Sequence, residues 1–237
     1  MRTKEFLGKH KIPFVSRNVL SDEGALDELL ALGTRQLPVI SRGQDWVNGQ
    51  SLTSIARLVG INLGNIEHLP PAELVRRIKL VLAAAARFFA QIPEDRLGDL
   101  LPGRPRSYAQ LGWHLFNVVD AFLEHEQGIP LEATAYNRVP VAGITGAQIL
   151  EYGAEVCRRF EAWWQAAETR ADWARGASVY YGDVSCHEFL ERTTWHAGQH
   201  ARQLMWILEG KLQIAPHQPI DPATWVGLPM PEKVWDS

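Results

Sequence analysis

Two histidines, His196 and His200, stand four apart in Thr194-Trp195-His196-Ala197-Gly198-Gln199-His200. On a helix, that step puts both rings on one face. The same face carries Phe189, Thr193, Leu204 and Ile207, so both imidazoles are expected to point into a core. A third histidine, His114, lies on a stripe with Leu111, Leu115 and Val118 and is expected to point inward as well. Three neutral imidazoles in one interior would leave buried nitrogens without partners, which is costly. A divalent cation removes that cost, with Zn–N distances of about 2.0–2.1 Å. From position alone, a three-histidine metal site and a set of hydrogen-bonded core imidazoles stand level. Ala197 follows His196 where a zinc-protease motif needs glutamate, which argues against peptide hydrolysis by that mechanism.

Three protein ligands would leave positions open for water or substrate, as catalytic sites do, and a thiol held there would be deprotonated at neutral pH. Arg202, Gln199, Tyr181 and Asp120 are candidates for the mouth of the site, although surface or packing roles are the simpler reading of each. His10, His68, His125, His187 and His217 receive no role, and no catalytic residue is assigned. Cys186, at the start of a helix, is open to activation by the helix dipole; a plain first-turn residue is the simpler reading.

Helices must position these residues. Leu74, Ile78, Leu82, Ala85, Phe89 and Ile92 form a helical stripe that Pro93 stops. Ser107 caps a second helix, with Leu111, Leu115, Val118 and Phe122 inward. Thr145 with Gln148 is a capping box opening a third, whose inner face carries Ile149, Val156, Phe160 and Trp163. Ser185 with Glu188 opens a fourth, through about Gly210. Four amphipathic helices of this length predict a four-helix bundle over residues 71–211, with a crossover in the long link after the second. The tail, 212–237, holds five prolines together with Trp225 and Trp235. It is expected to pack across the bundle without forming a helix.

Residues 1–61 read differently, as a small α/β unit. Lys4–His10 reads as the end of a helix and Pro13–Leu20 as a strand. Asp22 is a candidate cap for a helix carrying Leu26, Leu29 and Leu30, stopped by Gly33. Pro38-Val39-Ile40 and Trp46-Val47 predict a hairpin turning at Arg42-Gly43-Gln44-Asp45, and Ser51 caps a last helix through Val59. The polar stretch 62–70, ending in Pro70-Pro71, reads as a linker. The fold class expected is therefore α+β.

Composition narrows the functions. In 237 residues, 46% are hydrophobic and 22% charged, with a net charge of −3, as in ordinary globular proteins. No basic stripe calls for a nucleic acid. No apolar run reaches the length of a membrane span, and Met1–Glu5 lacks a signal-peptide core. Two cysteines, Cys157 and Cys186, make no disulfide framework, so a cytoplasmic protein is expected.

Tyr108-Ala109-Gln110-Leu111-Gly112-Trp113-His114-Leu115, followed at a distance by Leu190-Glu191-Arg192-Thr193-Thr194-Trp195-His196-Ala197-Gly198-Gln199-His200-Ala201-Arg202-Gln203-Leu204, resembles the DinB-like metalloprotein superfamily. The resemblance spans residues 71–211. It implies a four-helix bundle, often dimeric, in which His114, His196 and His200 bind a divalent metal: zinc first, with nickel, iron or manganese as alternatives. Family members of known activity include transferases and isomerases in which the metal activates a low-molecular-weight thiol. Residues 1–61, through Arg2-Thr3-Lys4-Glu5-Phe6-Leu7 and Leu32-Gly33-Thr34-Arg35-Gln36-Leu37-Pro38-Val39, resemble a glutaredoxin, within the thioredoxin-like folds. There Pro38 matches the cis-proline, preceded by Gln36 and Leu37. Gly49, Gln50 and Ser51 match the region that holds the γ-glutamyl end of glutathione. The Cys-x-x-Cys turn is absent, so the segment is expected to be redox-silent; holding a thiol peptide, forming a dimer contact and capping the bundle stand level as its roles.

The combined expectation is a homodimeric, metal-dependent enzyme that uses glutathione or a related thiol in a transferase or isomerase step on a small electrophile. A hydrolase using metal-bound water, and a non-catalytic metal or thiol sensor, are the alternatives.

Overall fold

The computed structural model describes residues 2–62, 68–169 and 172–235. The chain is a mixture of helices and a few short antiparallel strands, an α+β protein. It divides into two compact units, Met1–Glu67 with Val179–Asp183, and His68–Ser178 with Val184–Ser237. No helix among the described residues is long and apolar enough to cross a membrane.

The first unit contains α1 (Arg2–Lys9), α2 (Ala25–Ala31), β1 (Val39–Arg42), β2 (Asp45–Asn48) and α3 (Leu52–Val59). The strands pair antiparallel, Val39 opposite Asn48 and Arg42 opposite Asp45, and Gly43, at φ +64°, supplies the left-handed position the tight turn requires. Ser51 caps α3 by accepting from the Ser54 amide. The Leu37–Pro38 peptide is cis. Two expectations fail here. Pro13–Leu20 forms no strand: β1 and β2 pair only with each other, so the segment has no neighbour to ladder against, and Phe14, Val15 and Leu20 remain exposed. Asp22 does not cap α2. Its carboxylate accepts from the Asn18 amide and the Ser21 hydroxyl, and Gly24 occupies the cap position. Of the expected linker 62–70, residues 63–67 lie outside the described residues.

The second unit is built on α4 (Pro71–Phe89), α5 (Tyr108–Glu126), α7 (Gly146–Ala167) and α8 (Cys186–Ile207), with a short α6 (Ala133–Tyr136) in the link after α5. Ser107, Thr145 and Ser185 each form a capping box with Gln110, Gln148 and Glu188. Each cap satisfies orphan amides and stabilises its helix by about 1 kcal/mol. The heaviest packing is α8 on α4 and α5, and α7 on α5. Leu74, Ile78, Leu111, Leu115, Phe160, Phe189 and Leu204 are at most 1% exposed. Burying each such side chain contributes about 1.5–3 kcal/mol. Strands β3 (Gly176–Ala177) and β4 (Val184–Ser185) pair just before α8.

Close approach explains two glycines. A Cβ on Gly112 of α5 would lie 2.3 Å from the Phe89 ring, and one on Gly198 of α8 would lie 2.7 Å from the Trp225 ring. The tail does pack on the helices. The guanidinium of Arg77 donates to the carbonyls of Thr224 and Val226, and that of Arg202 to Pro231 and Glu232. It is not devoid of helix, since Pro222–Trp225 forms a single 3₁₀ turn.

Candidate metal centre

Helix α5 supplies His114, and α8 supplies His196 and His200, one helical turn apart. One ring nitrogen from each lies within 4.8 Å of those of the other two, the separation a single cation needs. Ring centroids are 4.8 Å apart for His114 and His200, 5.0 Å for His196 and His200, and 5.7 Å for His114 and His196. His114 and His200 are buried and His196 is partly so.

The tautomer of His200 follows from its neighbours. Gln203 donates its side-chain NH₂ to the Val234 carbonyl at 3.1 Å, which turns its Oε1 toward His200. That oxygen can only accept, so the His200 Nδ1–H donates to it, at 2.7 Å. Nε2 of His200 therefore carries a bare lone pair, and it is buried without a hydrogen-bond partner. Nδ1 of His114 and Nδ1 of His196 are buried and unpartnered too. Ring nitrogens without partners at this depth cost free energy. The donor set fits a divalent cation of the zinc type.

Electrostatics keep the rings in the ligating form. Burial pushes His114 and His196 well below the ordinary imidazole range, with neighbouring histidines and the positive charge of Arg106 adding to it. Burial lowers His200 to about 4, against the opposing pull of Gln203. All three are neutral at pH 7.

Of the other side chains considered for the mouth, none is hydrogen-bonded to the cluster among the described residues. Gln199 and Arg202 bond to tail carbonyls, Asp120 is held by Tyr152 and Arg159, and Tyr181 is buried in the first unit. Cys186 is buried, and burial raises its thiol pKa, so the helix start does not activate it. Two neighbours of the cluster carry no clear sequence signal. Gln203 has only its three-residue offset from His200. Tyr136, whose ring meets His196 edge-on at 5.2 Å, sits on α6, which Asn117 ties to α5 by donating to the Ala135 carbonyl.

In the first unit, Pro38 and Gly49 are brought together, the Gly49 amide donating to the Pro38 carbonyl at 2.7 Å. Gln36 accepts from the Asn48 side chain, Gln50 accepts from the Tyr180 hydroxyl, Ser51 is occupied as a helix cap, and Leu37 is exposed. The unit's own cleft, of about 660 Å³, is lined by Gln36, Trp46, Asn48, Arg57 and Tyr180 among others. Gln36 is the one residue of the expected thiol-peptide set that lines it. No protein-family model matches the chain, and no curated protein matches it.

Proposed function

We propose that this protein is a metal-dependent enzyme of the DinB-like type, a four-helix bundle preceded in the chain by a glutaredoxin-like unit. It uses glutathione or a related thiol in a transferase or isomerase reaction on a small electrophile, and works as a cytoplasmic homodimer. The observation that carries the reading is the convergence of one ring nitrogen from each of His114, His196 and His200 within 4.8 Å of one another. His114, His196 and His200 would hold the cation. When bound, it would supply Lewis acidity, lowering the pKa of a thiol and polarising an oxygen of the electrophile. A neutral, all-nitrogen ligand set leaves the cation's double charge uncompensated, which favours an anionic outside ligand such as a thiolate. Gln203 fixes the His200 ring and its tautomer. Gln36, Leu37, Pro38, Gly49, Gln50 and Ser51 remain the proposed glutathione contacts of the first unit.

The test is metal analysis of the purified protein, followed by calorimetric titration of glutathione with and without metal. One divalent ion per chain and metal-dependent glutathione binding are expected. Absence of a stoichiometric metal removes the enzyme reading. Metal without glutathione binding at millimolar concentration removes the thiol.

A further inference from the structure

Four successive carbonyls of the tail rest on α8. Arg202 donates to those of Pro231 at 2.7 Å and Glu232 at 3.0 Å, and Gln199 to those of Lys233 at 3.2 Å and Val234 at 2.8 Å. Gln203 adds its bond to Val234 at 3.1 Å. Gln199, Arg202 and Gln203 stand three and four apart, so they share one face of the helix, on the stretch that also carries His200. An earlier part of the tail has its own anchor: Arg77 donates to the Thr224 and Val226 carbonyls, and the Trp225 ring packs against Gly198. Of the two anchors, the second continues to a candidate metal ligand, because the Gln203 oxygen accepts from the His200 Nδ1–H at 2.7 Å.

The orientation of one amide links the tail to the histidine. With residues 231–234 docked, the Gln203 NH₂ faces Val234 and its oxygen faces His200, so the imidazole proton sits on Nδ1 and the Nε2 lone pair is left for a cation. Once the segment lifts, that selection is lost and the reversed amide competes. It donates an N–H to Nδ1, the imidazole then carries its proton on Nε2, and that nitrogen can no longer ligate. We propose that residues 231–234 are a strap whose docking is coupled to metal binding: the docked strap holds His200 in its ligating tautomer, and a cation on His200 holds the strap down. The inference rests on the metal reading and adds the regulation of that site by the chain's own tail.

The test begins with full-length protein, with and without Zn(II). Trypsin cuts after Lys233 only when the strap has lifted, and intact mass reports the loss of the last four residues, 234–237. Bound zinc is expected to slow that cut about tenfold while the rest of the chain stays whole. An equal rate with and without bound zinc overturns the coupling and leaves the metal reading standing. Chelator competition then measures zinc affinity in four proteins: wild type, a chain ending at Met230, Gln203→Leu, and the two changes combined. Each single change is expected to weaken zinc about 10–100-fold, and the combination little more than the worse single, because both act through one amide. Full affinity in the shortened chain, or losses that multiply, overturns the strap. The trypsin measurement needs no variant, so it decides the coupling even where the shortened chain does not fold. Failure of the wild type to bind stoichiometric zinc overturns the metal reading and the coupling together.

Discussion

Helix α5 passes through two buried polar clusters, and they are built on opposite principles. Toward its C-terminal end, Glu126 accepts from Arg175 at 2.6 Å and Trp163 at 3.1 Å, and His125 lies beside it at 3.4 Å. His125 in turn accepts from the Ser178 amide through Nε2. A turn and a half earlier, Asp120 accepts from Tyr152 at 2.6 Å and Arg159 at 2.5 Å. Both carboxylates there meet donors, although Nδ1 of His125 and Nε of Arg159 are left without a hydrogen-bond partner. At His114, the same helix meets two more imidazoles and no carboxylate, and one buried ring nitrogen of each of the three has no hydrogen-bond partner. Paired carboxylates stabilise a fold from within; neutral imidazoles without partners offer sites for a group from outside the chain.

The largest expected difference between the clusters lies in metal content. His114→Ala, His196→Ala and His200→Ala should each lose stoichiometric metal, while Glu126→Gln and the exposed His217→Ala keep it. Elemental analysis decides the point, and full occupancy in His114→Ala would remove that residue from the ligand set.

Stability should respond the other way. Burial opposes the charge on Glu126, yet its contacts with His125, Arg175 and Trp163 hold its carboxyl down to about 2. A depressed carboxyl stabilises the fold above its unfolded value, near 4.5, and loses that contribution as pH falls from there toward 2. Glu126→Gln should cost about 2–3 kcal/mol at pH 7 and flatten the pH dependence across that window. Denaturant titrations at several pH values check this; parallel curves for wild type and variant would mean that the network contributes no pH-linked stability.

A smaller effect sharpens the histidine side. Gln203→Leu leaves the His200 Nδ1–H without its acceptor and should weaken metal binding about 10–100-fold, with Gln203→Glu retaining it. Chelator competition gives the number, and unchanged affinity in Gln203→Leu would reduce Gln203 to packing. The smallest expected signal is none at all. Residues 1–62 contain no cysteine, and burial raises the pKa of both Cys157 and Cys186. A glutaredoxin disulfide-reduction assay should therefore read background, and activity that survives Cys157→Ser with Cys186→Ser would contradict redox silence.

Sequence by itself determined the long helices, because each carries its own period and its own cap. The Ser107, Thr145 and Ser185 boxes lie where residue types place them, and the stripe through Leu74, Ile78 and Leu82 is buried. The three histidines were legible for the same reason: a helical face is a local property. Pro13–Leu20 was misread because a strand is not local. Its apolar residues suit a ladder, but pairing depends on a neighbouring strand that the segment does not have. Only tertiary structure decided which polar groups are paired and which are not. Gln203 matters because the tail brings the Val234 carbonyl to its amide and so fixes which way it faces. Its role depends on partners distant in the chain, and hydrogen-bond satisfaction is a property of the packed interior.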